Sequence, residues 1–256
     1  MRAVAQRLNR PFLWITLFGV SMGFFESSIV VYLRELYYPE GFAFPLEHIE
    51  PHTGVTELIR EFFSLIMIVS AAAMTSRSFM QRFANFLYIF AVWDIFYYIF
   101  LKLLLGWPDS LMTWDVLFLI PVTWSGPVIA PIIISVIMVL YALVIRYFNR
   151  KSGFRFYMEP VEWVILLSGA LVVFVSFIWD YTSYLLNHLN PQMLKNGQGL
   201  QEEVEELFYH YVPVHFNWVV FFLGVILLLV SLTMVYRRNK KYGNGSPLEY
   251  GLIEFN

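Results

Sequence analysis

Six long apolar stretches constrain the fold of this chain more than any other feature. They fall at about 11–33, 55–76, 83–105, 125–146, 161–182 and 214–236. Each is close to the roughly 20 residues that an α-helix needs to cross a bilayer. Only 14% of the residues are charged, against about 25% in a soluble domain. The sequence therefore predicts an all-α, polytopic transmembrane helix bundle of about six spans at 1–239, followed by a polar tail at 240–256.

The first two of these spans each need an argument of their own. The first follows three arginines, as a signal peptide would, but its apolar run is long and has no small-residue cleavage pattern. We therefore interpret it as a retained span. The second carries Glu57, Arg60 and Glu61 in its first two turns. It is included because the basic residues on either side otherwise fall on the wrong faces of the membrane.

The basic residues predict the orientation of the bundle. If the N-terminus is cytoplasmic, thirteen of the 17 Lys and Arg residues lie in cytoplasmic segments, as the positive-inside rule requires. These are Arg2, Arg7, Arg10, Arg77, Arg82, Arg146, Arg150, Lys151, Arg155, Arg237, Arg238, Lys240 and Lys241. The remaining four are Arg34, Arg60, Lys102 and Lys195. We expect both termini in the cytoplasm and the chain in a bacterial inner membrane.

Several charged residues fall inside the predicted spans. Glu26 shares a helix face with Gly19 and Gly23, a GxxxG pair that favours close helix contact. A charge near the bilayer centre costs roughly 2.5–3.5 kcal/mol, so such residues are normally paired or line a wet cavity. The sequence predicts a buried polar cluster toward the outer side, formed by Glu26, Arg60, Glu61, Asp94, Tyr98 and Asp180. Three interpretations stay open: an ion pair that sets helix register, a pocket for a solute or proton, and scattered interfacial residues.

The dipeptide Trp-Asp occurs three times, as Trp93-Asp94, Trp114-Asp115 and Trp179-Asp180, although the chain has only four Asp residues. A tryptophan anchors a helix end at the membrane boundary, while the neighbouring aspartate points inward or caps the next element. We expect these pairs to be structural.

The outer connections are longer than the inner ones. Residues 34–54 form a polar loop, and Trp114–Ile120 is predicted to be a short interfacial segment between Pro108 and Pro121. Gln201–Tyr211 has the acidic, amphipathic pattern of a helix lying at the membrane surface. Two further prolines, Pro127 and Pro131, are expected in the first turns of the fourth span, where a missing amide matters least.

Metal, haem and nucleotide chemistry have little support. The chain has no Cys, which excludes thiolate ligands and disulfides. No HExxH, Walker or Rossmann pattern is present. The weak candidates for metal ligands are the five histidines, all in outer segments: His48, His52, His188, His210 and His215. No cofactor or nucleic acid is indicated, and we expect bound lipid.

Three segments carry a resemblance to known proteins: YLRELYYPEGF, VWDIFYY and GWPDSLMTWDVLFLIPVTWSGPVIAP. Over roughly residues 20–135 the chain resembles uncharacterised bacterial multi-pass integral membrane proteins. The resemblance implies a multi-pass membrane fold and brings no activity or site residue with it.

Three functions are compatible with these features. The first is a non-catalytic membrane subunit within a larger inner-membrane assembly, which the aromatic-rich lateral surface favours. The second is a small transporter or channel with a polar pocket open to the extracytoplasmic side, although the chain shows no internal repeat. The third is an enzyme or a metal- or haem-binding protein at the outer face, for which no catalytic residue can be assigned. For the subunit we expect Tyr97 and Tyr98 to fill the space beside Asp94, and a carboxylate to pair with Arg60.

Overall fold

The computed structural model describes residues 2–150, 156–190 and 199–243, with side chains over 11–150, 156–190 and 199–241. These residues form seven helices and two short strands. In chain order they are α1 Arg2–Tyr37, α2 Pro51–Met74, α3 Phe79–Leu105, β1 Trp114–Phe118, β2 Trp124–Pro127, α4 Ile129–Asn149, α5 Pro160–His188, α6 Leu200–His210 and α7 Trp218–Gly243.

Five of the described helices are long and apolar enough to cross a membrane: α1 from Pro11 onward, α3, α4, α5 and α7. The predicted all-α membrane bundle is confirmed at this level. The remaining predicted span, the second in chain order at about 55–76, corresponds to α2. This helix has 24 residues but carries Glu57, Arg60 and Glu61 in its first half. Because of these three charges, α2 is not among the five helices that are apolar enough to cross a membrane.

Parts of the sequence prediction lie outside the described residues. The predicted tail at 240–256 begins inside α7, which ends at Gly243, and its remaining residues are not described. The same holds for several basic side chains used to predict orientation: Arg2, Arg7, Arg10, Lys151, Arg155 and Lys195.

The connections divide the bundle into two ends. One end carries the loops 38–50, 106–128 and 189–217, and is called the hairpin end because β1 and β2 lie there. The opposite end carries the turn 75–78 and the connection between α4 and α5. The helices therefore run alternately toward and away from the hairpin end, with α1 and α3 parallel to each other.

Glycine contacts hold two helix pairs together. A Cβ added to Gly19 would lie 2.9 Å from Val92 Cγ1, and one added to Gly23 would lie 3.0 Å from the Trp93 carbonyl oxygen, so α1 and α3 are in close contact at the predicted GxxxG pair. A Cβ on Gly224 of α7 would lie 2.8 Å from the Val173 backbone nitrogen of α5. Transmembrane helices associate by close packing of this kind.

Helix α4 joins the two pairs. The Tyr141 hydroxyl donates a hydrogen bond to the Leu228 carbonyl oxygen of α7 at 3.3 Å, and the Ser135 hydroxyl donates to Asp94 of α3 at 2.8 Å. At the opposite end, Arg238 of α7 donates two hydrogen bonds of 2.8 Å to the buried Glu162 carboxylate of α5. The two contacts of α4 link the helix pairs to each other, and the Arg238–Glu162 contact joins the two helices of the second pair.

The short segment predicted at Trp114–Ile120 begins an antiparallel β-hairpin, which the sequence pattern does not indicate. Asp115 pairs with Gly126 and Val116 with Ser125. The hairpin packs on α5, where the Trp124 ring lies 4.9 Å from the Phe174 ring. Strands of four and five residues are too short for an alternating pattern to be recognised.

The hairpin also moves the start of the fourth span. Pro127 closes β2 and α4 begins at Ile129, so only Pro131 lies in the first turn of a helix. Of the outer segments, the helix predicted at Gln201–Tyr211 is present as α6, whose residues are all exposed or half-buried.

Candidate functional site

A cavity of about 290 Å³ extends from the hairpin end into the middle of the bundle. Helices α1, α2, α3 and α4 and the hairpin all contribute to its wall. Its deepest polar residues include Glu26 and Asp94, each eleven residues before the hairpin end of its helix. At 1.5 Å per residue this is about 16 Å along the helix. The lining side chains used below are Glu26, Glu57, Arg60, Glu61, Ser64, Phe90, Trp93, Asp94, Tyr97, Tyr98, Asp115, Phe118, Trp124, Ser135 and Phe177.

Arg60 is paired with two carboxylates. Its Nη1 donates to Glu26 of α1 at 2.5 Å, and its Nε donates to Glu57, one turn earlier on α2, at 2.7 Å. The predicted carboxylate partner of Arg60 is therefore confirmed. Arg60, Glu26 and Glu57 together carry one positive and two negative formal charges, so the group has a net charge of −1.

Glu61 contacts the hairpin instead of a basic residue. Its two carboxylate oxygens accept from the Leu119 backbone amide at 3.0 and 3.3 Å. Among the described residues no basic side chain lies within 4.0 Å of it. Its neighbour Arg60 is engaged by Glu26 and Glu57, so the Glu61 charge has no ion-pair partner.

Asp94 is the second acid without a cation. One of its oxygens accepts from the Ser135 hydroxyl at 2.8 Å, and no ion pair to it is found among the described side chains. Although it lies in the middle of α3, Asp94 is only half-buried. It lines the cavity, so the surface that it exposes faces this space.

The expectation that Tyr97 and Tyr98 fill the space beside Asp94 is wrong, since the cavity reaches Asp94. The Tyr98 side chain is buried and its hydroxyl donates to Asp115 of β1 at 3.2 Å. This bond ties the ring to the hairpin, and both tyrosines become part of the cavity wall.

Asp115 belongs to the site although it was interpreted from the sequence as a structural residue. It is 2% exposed, and an Arg34 guanidinium nitrogen lies 3.5 Å from its carboxylate. Arg34 itself is sandwiched between the rings of Phe42 and Trp107, at 4.3 and 3.7 Å from their centroids. Burial raises the pKa of Asp115 to about 6, and the positive charge of Arg34 offsets part of this rise.

Five aromatic rings form a continuous wall of the cavity, called the aromatic wall: Phe90, Trp93, Phe118, Trp124 and Phe177. Neighbouring rings lie close together, with 5.1 Å between Phe90 and Trp93, 6.0 Å between Trp93 and Phe118, and 5.5 Å between Phe118 and Trp124. Both carboxylates without a cation adjoin this wall. Asp94 follows Phe90 by one helical turn, and Glu61 binds the backbone next to Phe118.

The cavity ends below these acids in a packed apolar core. Met22, Ile68 and Ile89 lie four or five residues beyond Glu26, Ser64 and Asp94 toward the opposite end, and they pack together. Ile68 and Ile89 have no exposed surface. In this conformation the cavity is therefore open at the hairpin end and closed toward the opposite end.

Asp180 lies apart from the rest of the predicted cluster. It is near the end of α5, where one oxygen accepts from the Tyr211 hydroxyl at 2.8 Å and from the Val214 amide at 3.1 Å. Its other oxygen accepts from the His215 amide at 3.1 Å. Asp180 thus orders the segment before α7 and does not line the cavity. Asp180 does not cap a helix, since the Val220 amide in the first turn of α7 donates to the Asn217 side chain.

The histidines do not converge. No group of three or more His, Asp or Glu side chains that could hold a metal ion is found within the described part of the chain. The His48 ring stacks 4.0 Å from that of Tyr209. His188 and His210 each contact a backbone carbonyl oxygen one turn earlier in their own helices.

Comparison with known proteins adds no assignment to this site. No family model, curated protein or solved structure matches the chain.

Proposed function

We propose that this chain is a small-molecule transporter of a bacterial inner membrane, and that the cavity is its binding site in an outward-open conformation. We further propose six spans, with α2 as the second, both termini in the cytoplasm, and the hairpin end on the extracytoplasmic side. The basic residues identified in the sequence support this orientation.

The observation that carries the proposal is the cavity itself. It reaches Asp94 in the middle of α3 and is closed below by packed apolar side chains. Intramembrane acids of this kind mark substrate or ion pathways, because a charge there is too costly to serve no purpose. A continuous pore would be expected of a channel, so a cavity closed on one side favours a transporter.

The contribution of α2 supports a sixth span. One face carries Glu57, Arg60, Glu61 and Ser64 toward the cavity, and the opposite face exposes large apolar side chains such as Ile59, Phe62 and Phe63. A helix with one polar face buried in protein and one apolar face exposed is suited to a membrane, where the bilayer covers the apolar side.

A non-catalytic subunit is the alternative. Tyr97 and Tyr98 do not fill the space beside Asp94, although this alternative predicts that they do. The apolar lateral surface does not require a partner protein, because membrane lipid can cover it. An enzyme or cofactor protein at the outer face is supported less, because the described histidines do not form a metal site.

The absence of Cys makes a clean accessibility experiment possible. Ile134→Cys places a thiol on the cavity wall at a half-buried position of α4, next in sequence to Ser135, the hydrogen-bond partner of Asp94. A membrane-impermeant methanethiosulfonate should modify it in spheroplasts, through the open cavity. In a transporter the cavity also opens to the other side, so the same reagent should modify it in inverted vesicles.

Three control variants define the result. Exposed Ser110→Cys at the hairpin end should react only in spheroplasts, and exposed Ser78→Cys at the opposite end only in inverted vesicles. Ser231→Cys, fully buried against α5, should react in neither. If Ile134→Cys is inert in spheroplasts, the cavity is not a binding site open to the outside. Modification in spheroplasts alone would contradict transport, and exchanged results for Ser110 and Ser78 would contradict the orientation.

A further inference from the structure

The charges around the cavity are not balanced. Besides the exposed Glu47, its wall contains the carboxylates of Glu26, Glu57, Glu61, Asp94 and Asp115 but only two guanidinium groups, those of Arg34 and Arg60. Arg60 pairs with Glu26 and Glu57, and Arg34 with Asp115. Glu61 and Asp94 remain without a cation among the described residues. A positive charge placed in the cavity would balance them.

The wall of the cavity is suited to an organic cation. Aromatic faces attract ammonium groups through their quadrupole, and this attraction strengthens when the cation is desolvated. The aromatic wall adjoins both unpaired acids, so an ammonium centre could contact a ring and a carboxylate together. A metal ion would not use this apolar surface, because hard cations require several oxygen ligands.

A second observation indicates a hydrogen-bond acceptor on the ligand. Trp93 is 6% exposed, and its indole N–H has no acceptor within the described part of the chain. Trp124, which follows Phe118 in the aromatic wall, also has an indole N–H without an acceptor among the described residues. Buried donors are normally satisfied, and both rings line the cavity.

We propose that the cavity binds an amphiphilic organic cation: a quaternary or protonated amine with a compact apolar or aromatic body and one acceptor oxygen. Asp94 and Glu61 face the ammonium centre, the aromatic wall covers the apolar body, and Trp93 donates to the oxygen. The volume of about 290 Å³ is at the lower end of the roughly 300–1,000 Å³ found for small-molecule pockets. This inference names the substrate class for the proposed transporter and rests on the binding role of the cavity.

Choline phenyl ether is a suitable probe, because it combines a permanent positive charge, an aromatic ring and one ether oxygen. Its uncharged isostere has a carbon in place of the nitrogen, and phenoxyacetate supplies the opposite charge. Binding is measured by calorimetry on the purified full-length protein and by protection of Ile134→Cys against modification. We expect the cation to bind and protect, and the isostere and the anion to do neither.

Substitutions then test the two carboxylates. Asp94→Asn and Glu61→Gln should each weaken binding of the cation by about tenfold or more, since each removes an opposite charge in a low-dielectric cavity. The matched controls are Asp109→Asn and Glu205→Gln, which remove exposed acids that do not line this cavity. These should bind the cation as the unsubstituted protein does.

The ligand series needs no substitution of the acids, so it decides the inference even if a variant fails to fold. Equal binding of the cation and its isostere overturns the cationic substrate but leaves the cavity as a binding site. The cationic substrate is also overturned if the Ile134→Cys thiol reacts and no probe protects it. It is overturned again if the cation binds Asp94→Asn and Glu61→Gln as tightly as the unsubstituted protein. A thiol that is inert from both sides overturns the proposed function instead.

Discussion

The ion pair between α1 and α2 allows a quantitative test of how the cavity is held open. Arg60→Met removes the guanidinium but keeps a long apolar side chain. The Glu26 and Glu57 carboxylates, with side chains 10% and 14% exposed, would lose their hydrogen bonds of 2.5 and 2.7 Å to Arg60. Removing one partner of a buried ion pair destabilises a protein by about 3–5 kcal/mol, because the other charge stays buried.

The expected magnitude follows from where these carboxylates lie. Both border the cavity, so water can reach them and relieve part of the penalty. We therefore expect a loss near the lower limit, about 3 kcal/mol in the free energy of unfolding. The double variant Glu26→Gln, Arg60→Met removes the more deeply buried charge as well, and should recover about 2 kcal/mol, the scale of coupling between contacting residues.

The assay is reversible unfolding in mixed micelles, followed by tryptophan fluorescence, for the protein, both single variants and the double variant. Arg77→Met, which removes an exposed arginine in the turn 75–78, is the matched control and should change stability by less than about 0.5 kcal/mol. The reasoning is refuted if Arg60→Met is as stable as this control, or if the double variant is no more stable than Arg60→Met.

Three further predictions concern the rest of the fold. Arg238→Ala should destabilise the protein by about 3–5 kcal/mol in the same unfolding assay, because it leaves the fully buried Glu162 carboxylate without a cation; equal stability of the variant would contradict this role. Gly224→Ala should cost about 1–3 kcal/mol by overpacking α5 against α7, while Gly54→Ala, where an added Cβ meets nothing within 4 Å, should not destabilise. Since burial raises the pKa of Asp115 to about 6, the folded protein binds this proton more tightly than the unfolded chain; stability should therefore rise as the pH falls through about 6 toward 3.8, and the rise should be smaller in Asp115→Asn in a pH series of unfolding curves.

The sequence alone determined the helices and the depth of the polar residues. A bilayer requires long apolar runs and penalises every charge inside them. Glu26 and Asp94 are therefore visible as intramembrane acids without any structure. Helical periodicity also placed Glu57, Arg60, Glu61 and Ser64 on one face of α2, and the structure has this face lining the cavity.

The partners of these residues were not determined by the sequence. The sequence does not indicate which carboxylate pairs with Arg60, and the structure pairs it with Glu26 and Glu57. Asp180 had the same sequence features as Asp94 but binds backbone amides before α7. Periodicity identifies the face of a helix, whereas the rotation and register between helices depend on packing of the whole bundle.

The hairpin and the empty volume were decided only by tertiary structure. Strands of four and five residues are stabilised by each other and by α5, so neither is recognisable from its own sequence. The hairpin brings Asp115, Phe118 and the Leu119 amide to helices α1, α2 and α3, and so completes the site. The cavity is the volume that the side chains of helices α1 to α4 and the hairpin leave unfilled where these elements pack together. No local sequence pattern indicates such a volume.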